Sequence, residues 1–164
     1  MHLKPMFYKK YILKSVVLFT VAILTPLFAQ SQKTIPELEI RAKQPLPGKM
    51  TIYNISFIAP DTLTARAFFA LSFPKEFDLE MLEIADSRIV DGGLEIGRKD
   101  RRAEISRSGL GKNILPETQV EIEIGLIQNP SDLSTAPPVT FILKPDGGDG
   151  VIYSKDVLIN FQKK

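Results

Sequence analysis

The chain has 164 residues, of which 44% are hydrophobic and 24% charged, with a formal net charge of +2 and no cysteine. This length fits one domain with a targeting segment, and the ordinary composition excludes a low-complexity or disordered chain. Without cysteine, the chain has no disulfides, no catalytic thiol and no site for a lipid on cysteine.

The first 29 residues have the pattern of a secretory signal peptide. They carry four lysines and no acidic residue, continue in an apolar run from Ser15 to Thr25, and end at Ala29 before a polar segment. Only 15 residues lie between Lys14 and Gln30, fewer than the about 20 that span a bilayer, so we predict a cleaved signal and not a membrane anchor. Cleavage is placed after Ala29, with Ser31 as the alternative.

Export determines where the mature protein acts and which partners it can have. It is expected in the periplasm, at the cell surface or outside the cell, and it meets a membrane only through the signal peptide before cleavage. The signal holds four of the 21 basic residues and none of the 19 acidic ones, so the mature chain has 17 basic and 19 acidic residues. A slightly acidic chain is not expected to bind nucleic acid.

Behind a leader at residues 30–37, one domain is predicted over residues 38–164. Short runs rich in β-branched and aromatic residues alternate with Gly, Pro and Asp turns, and no stretch has sustained helical periodicity. About eight short strands are predicted, at residues 38–42, 51–58, 64–73, 94–96, 103–106, 119–126, 139–143 and 151–161. Shorter strand pieces are predicted at 81–84 and 88–90, and a bend or single helical turn at 75–79. The pattern favours an all-β antiparallel sandwich, with a closed barrel as the alternative.

The clearest alternation lies in residues 119–126. It directs four apolar side chains to the interior: Val120, Ile122, Ile124 and Leu126. Glu121 and Glu123 then share a solvent face, where both are expected to stay ionised. They are therefore predicted to be surface residues and not the opposed carboxylates of a glycosidase.

Two strand ends resemble a known class of domain. One apolar strand ends in Phe73-Pro74, and a later one ends in Asn129-Pro130 before residues 139–143 and a Gly/Asp turn. Over residues 51–161 the pattern resembles immunoglobulin-like β-sandwich modules of bacterial and archaeal secreted or cell-surface proteins. It is similar, less closely, to cohesin-like domains of cellulose-degrading assemblies. The shared features are structural turns, so the resemblance assigns no site residue.

The mature sequence lacks the side chains of most catalytic centres. The only histidine is His2, inside the signal, and the chain has no cysteine or tryptophan. Ser-His-Asp and Cys-His systems, histidine general bases and His/Cys zinc sites are therefore excluded. We predict that the protein is not an enzyme and needs no cofactor.

One acidic turn is a weak candidate for a calcium site. Asp146, Asp149 and Asp156 lie in or near the glycine-rich turn at residues 145–150. Carboxylates and loop carbonyls are the ligands that calcium takes. The alternative is a glycine turn in which Asp side chains bond to their own backbone.

One basic cluster is a candidate binding surface. It contains Arg98, Lys99, Arg101, Arg102 and Arg107, and it is predicted at the tip of a hairpin around Asp100. Such a cluster can hold an acidic protein, an anionic polymer or lipid headgroups. The alternative is a solvated tip balanced by Asp100 and Glu104.

These observations predict an exported, non-catalytic interaction or structural module of the cell envelope or surface. The expected partner is a protein or an envelope polymer. The alternative is a carbohydrate-binding or cohesin-like module of an extracellular polysaccharide-degrading system. That function needs an exposed row of Tyr and Phe rings, whereas Tyr53 and Tyr153 lie within predicted strands, which favours core packing.

Overall fold

The computed structural model describes residues 35–162, so the predicted signal peptide and residues 30–34 of the leader lie outside the described residues. Within this range the chain forms ten strands and no helix. The strands are β1 (Glu39–Ala42), β2 (Met50–Ile58), β3 (Phe68–Ser72), β4 (Ile84–Asp86), β5 (Leu94–Lys99), β6 (Arg102–Arg107), β7 (Gln119–Gln128), β8 (Val139–Lys144), β9 (Tyr153–Val157) and β10 (Ile159–Asn160).

The strands form two five-stranded sheets. The first sheet has the order β10-β1-β2-β7-β4 and the second has the order β5-β6-β3-β8-β9. All neighbouring strands are antiparallel except β1 and β10, which are parallel. Two separate sheets that enclose one core confirm the predicted sandwich and exclude the closed barrel.

Alternating side chains of both sheets build the core. In β2 every second residue from Thr51 to Phe57 is buried, and in β8 the same holds from Val139 to Leu143. The ring of Phe57 lies 6.1 Å from that of Phe69 and 5.4 Å from that of Phe141, measured between centroids. Aromatic contacts between the two sheets therefore fill the middle of the sandwich.

The Asn129-Pro130 turn, which contributed to the sequence resemblance, fixes the position of a neighbouring loop through the Asn129 side chain. Asn129 is 2% exposed, and its side-chain NH₂ donates to the carbonyl oxygens of Gln44 (3.0 Å) and Leu46 (2.9 Å). Its side-chain oxygen accepts from the Tyr53 hydroxyl. Burial raises the pKa of Tyr53 above its ordinary value, so the hydroxyl stays a donor. The loop between β1 and β2 is thereby tied to the end of β7.

Four strand predictions differ from the structure, those at residues 64–73, 81–84, 88–90 and 151–161. Strand β3 begins only at Phe68, because the Ala67 N–H donates to the Thr64 carbonyl (3.0 Å) and closes a turn. The strand pieces at 81–84 and 88–90 are wrong. Only Ile84–Asp86 is extended, and the Ser87 hydroxyl accepts from the N–H of Val90 (3.0 Å), which bends that segment. Residues 151–161 form two strands in different sheets instead of one.

A bulge in β7 shifts its alternation. Tyr53 pairs with Ile124 and Thr51 with Ile127, so Gly125 and Leu126 together face Ile52. The interior positions therefore pass from Ile124 to Ile127, and the prediction that Leu126 points inward is wrong. A Cβ at Gly125 would lie 3.0 Å from Cγ1 of Ile52, so glycine permits the close approach of β2 at this point.

Candidate binding surface

The predicted hairpin is present, but its basic residues do not form one cluster. Strands β5 and β6 pair from Leu94 with Arg107 to Lys99 with Arg102, and Asp100 takes a φ of 54° in the two-residue turn. Side chains alternate between the two faces along each strand, so the five basic residues lie in three separate places. Arg107 is in the interior, Arg98 and Arg101 line a cleft, and Lys99 and Arg102 lie on the outer side of the sheet. The sequence prediction of a single cationic tip is therefore wrong.

Arg107 lies at the far end of β6 and is buried, with 4% of its surface exposed. Its guanidinium donates to the carbonyl oxygens of Thr64 (2.7 Å) and Lys112 (2.7 Å) and to a carboxylate oxygen of Asp91 (3.0 Å). These acceptors belong to three different loops. Arg107 therefore joins the loops at one end of the sandwich and is not available to a partner.

Arg101 and Arg98 line a cleft at the opposite end of the sandwich. Arg101 donates through Nε to the Phe73 carbonyl (3.2 Å) and through Nη2 to the Phe77 carbonyl (2.7 Å), and so holds the turn that follows β3. The cleft has a volume of about 350 Å³. Its charged lining is mixed, consisting of Lys75, Asp78, Glu80, Arg98, Asp100 and Arg101. It does not have the single sign of charge that an anion site would need.

Lys99 and Arg102 point outward on the second sheet, where they border a distinct surface. We call the outer side of β5, β6, β3 and β8 the open face. Its central strand β3 contributes no charged side chain, only Phe68, Ala70 and Ser72. Ala70 is fully buried although it lies outside the core cluster, because Glu104 and Ile142 flank it on the neighbouring strands.

Charged residues border the outward side chains of β3, which we call the uncharged stripe. Lys144 lies with its ammonium 6.0 Å from the centre of the Phe68 ring, a cation–π arrangement. Arg102 reaches the Ser72 hydroxyl (3.3 Å) and lies 3.8 Å from Glu104. A shallow surface of small and apolar groups with a charged rim has the general anatomy of a protein interface.

On the outer side of the first sheet, polar side chains bond to each other across neighbouring strands. Lys43 forms an ion pair with Glu123 (2.6 Å), and Gln119 donates to the Ser56 hydroxyl (2.6 Å). Glu121 is exposed and lies on the same solvent side as Glu123, as the sequence predicted. These polar contacts are of the same kind as the Arg102–Ser72 contact on the open face, so they do not by themselves distinguish the two faces.

The three aspartates proposed for calcium are not brought together. Asp146 accepts from the backbone N–H of Gly148 (3.0 Å), and Asp149 is fully exposed and lies 3.5 Å from Lys144. Asp156 lies on β9 and accepts from the Thr140 hydroxyl (2.7 Å). Within residues 35–162 no group of three or more His, Cys, Asp or Glu side chains is placed to hold a metal ion. Calcium binding by Asp146, Asp149 and Asp156 stays an untested prediction.

The aromatic residues do not form a sugar-binding platform in the described part of the chain. Tyr53 and Tyr153 are buried, as are Phe57, Phe69, Phe73, Phe77 and Phe141. Phe68 is the partly exposed ring on the open face, and one ring does not make the row that stacking on a glycan needs. The described residues also contain no helix long and apolar enough to cross a membrane.

By their own topology, residues 35–162 form a β-sandwich of two five-stranded sheets in which all neighbouring strands except β1 and β10 are antiparallel. No family model and no curated protein sequence matches it. Among solved structures, the major pilin SpaD of Corynebacterium diphtheriae is similar over 73% of this chain and 33% of the pilin, with 12% identity and a TM-score of 0.47. This chain thus corresponds to about a third of that pilin.

Two further structures match over most of their own length. A cohesin module from a Clostridium perfringens family 33 glycoside hydrolase is 16% identical over 78% of this chain and 98% of the module, with a TM-score of 0.43. A Nocardia farcinica protein with an immunoglobulin-like fold is 14% identical over 71% of this chain and 81% of its own, with a TM-score of 0.40. Immunoglobulin-like and cohesin-like sandwiches are therefore among the solved structures to which this chain is similar, and the likeness concerns the fold alone.

Proposed function

We propose that the chain is an exported, non-catalytic module that binds a protein partner on its open face at the cell envelope or surface. The observation that carries the proposal is the pair of partly exposed apolar side chains, Phe68 and Ile142, that lie between charged margins on that face. Burying such side chains releases water from apolar surface, while the charges around them set orientation and choice of partner.

The rest of the molecule supports a binding role over a catalytic one. The signal pattern at residues 1–29 supports export, and the sequence after it has no histidine or cysteine. The core side chains of both sheets pack between the layers, and the two described clefts open at the surface. Lys99 and Arg102, which the sequence marked as binding residues, lie on the rim of the open face and favour a partner with carboxylates there.

A matched pair of isoleucine variants tests the open face. Ile142 lies on the open face and Ile58 on the outer side of the first sheet, and both are partly exposed. We expect Ile142→Glu to weaken partner binding at least about tenfold, because a buried interface core does not accept an unpaired carboxylate, and Ile58→Glu to leave binding unchanged.

The measurement starts from a partner captured on the wild-type protein from envelope extract of the source organism. The purified partner is then titrated against wild type and both variants by calorimetry, with thermal unfolding as the check on folding. Equal affinity for all three proteins would remove the open face from the proposal. The absence of any saturable partner would contradict the function itself.

A further inference from the structure

Strand β5 is the longest unpaired edge in the described sandwich. It has six residues, whereas the other outer strands, β9, β4 and β10, have five, three and two. Four of its six residues are exposed: Glu95, Gly97, Arg98 and Lys99. An edge of this length presents a row of backbone groups that can pair with another strand.

The direction of those backbone groups follows from the pairing with β6. The Ser108 N–H donates to the Gly93 carbonyl (3.2 Å), which continues the β5–β6 register by one pair. Hydrogen-bonded pairs alternate with non-bonded ones in an antiparallel ladder. Glu95, Gly97 and Lys99 therefore bond to β6, and the N–H and C=O groups of Leu94, Ile96 and Arg98 point away from the sheet. No backbone hydrogen bond outside the β6 ladder uses them among residues 35–162.

The side chains of this edge have a two-fold pattern. Glu95 and Lys99 lie on the open face at equal distances on either side of Gly97. Neither side chain has a hydrogen-bond or ion-pair partner within the described residues. Antiparallel pairing of β5 with a copy of itself, centred on Gly97, would place each Glu95 opposite Lys99 of the other copy. A strand with this charge order is complementary to itself.

Gly97 is not explained by the isolated chain. Its φ is not positive, and a Cβ built on it would meet nothing within 4 Å. Glycine inside a strand lowers stability unless a close backbone approach requires it. At the centre of the self-pairing, the two Gly97 residues form a non-hydrogen-bonded pair, the type with the shorter Cα separation. Such a pair also accommodates side chains, as Ile96 opposite Ile105 does within the monomer, so Gly97 is compatible with the self-pairing and the charge order of Glu95 and Lys99 is what favours it.

We propose that β5 pairs antiparallel with β5 of a second copy of this chain, across a two-fold axis at Gly97. Ile96 then lies opposite Arg98 of the second copy, and each such pair exchanges two backbone hydrogen bonds through the outward groups identified above. Moving the axis to Ile96 or Arg98 would separate Glu95 from Lys99, so the charges fix the register. The second sheets of the two copies become continuous, and their open faces lie on the same side. The proposal is independent of whether the open face binds a partner.

Charge reversal with rescue tests this pairing. Sedimentation velocity over a series of protein concentrations at low salt is expected to show a monomer–dimer equilibrium. Glu95→Lys and Lys99→Glu each place like charges opposite each other twice, so each is expected to weaken dimerisation at least about tenfold. The double variant Glu95→Lys/Lys99→Glu restores opposite charges and is expected to dimerise as the wild type does.

A charge reversal on another edge strand tests whether weaker dimerisation comes from the Glu95–Lys99 pairs or from the change in net charge. Lys155 is an exposed lysine on β9, so Lys155→Glu is expected to leave dimerisation unchanged. The two single variants, the double variant and Lys155→Glu are all expected to keep the wild-type circular dichroism spectrum, because residues 95, 99 and 155 are exposed. A wild type that stays monomeric at the highest concentration, or a double variant that fails to recover, would overturn the proposal.

Discussion

Arg107→Met is expected to lower the free energy of unfolding by about 3 kcal/mol or more. Methionine retains the apolar stem of the buried side chain but removes the donors for the carbonyl oxygens of Thr64 and Lys112. The Thr64 carbonyl oxygen keeps the Ala67 N–H as a donor, but the Lys112 carbonyl oxygen loses Arg107, and the contacts by which Arg107 joins three loops are lost, which is the main cost. The ion pair with Asp91 adds less, because the Asp91 side chain is 54% exposed.

Urea unfolding followed by circular dichroism measures the loss. Arg102→Met is the matched control, since Arg102 is on the same strand with 43% of its side chain exposed and a 3.8 Å ion pair. Its cost is expected to stay below about 1 kcal/mol. Similar losses for both variants would show that Arg107 does not hold the loops together.

Phe141→Ala is expected to cost about 3–5 kcal/mol of unfolding free energy, because it opens a cavity beneath fully buried rings. Phe141 is 0% exposed, and its ring centre lies 5.4 Å from that of Phe57 across the two sheets. Ile142→Ala, one residue later on the same strand, is expected to cost about 1 kcal/mol or less, since Ile142 points outward and is only partly buried.

The same unfolding measurement compares the two variants. A difference of this size and sign establishes the register of β8, because a one-residue slip exchanges the interior and exterior positions of a strand. A larger loss for Ile142→Ala than for Phe141→Ala would contradict the described pairing of β8 with β3.

The sequence predicts the interior best where alternation is uninterrupted. In β7 the positions Val120, Ile122 and Ile124 were predicted correctly, and the prediction is wrong at Leu126, beyond the bulge. A bulge depends on what lies opposite, here Ile52, and a pattern of period two in one strand contains no information about its neighbour.

At the candidate site, too, the sequence predicts the direction of a side chain but not the residues that surround it. Arg102 and Arg107 are five positions apart on one strand, and this odd spacing already indicates opposite faces. The alternation of Ala103, Ile105 and Arg107 was thus a readable signal that Arg107 points inward. The carbonyl oxygens that accept hydrogen bonds from the buried Arg107 belong to loops outside its own strand. The open face forms only because β6, β3 and β8 are neighbours in the second sheet. Neither can be read from local sequence.

The parallel pairing of β1 with β10 determines how the domain would respond to tension. Ile40 pairs with Ile159 and Arg41 with Asn160, so the chain enters β1 at one end of this strand pair and leaves β10 at the other. A force that pulls the two flanking segments apart would slide the strands lengthwise and load their hydrogen bonds together, instead of opening them one at a time. Such shear loading makes a strand pair resist extension more than one whose hydrogen bonds open singly.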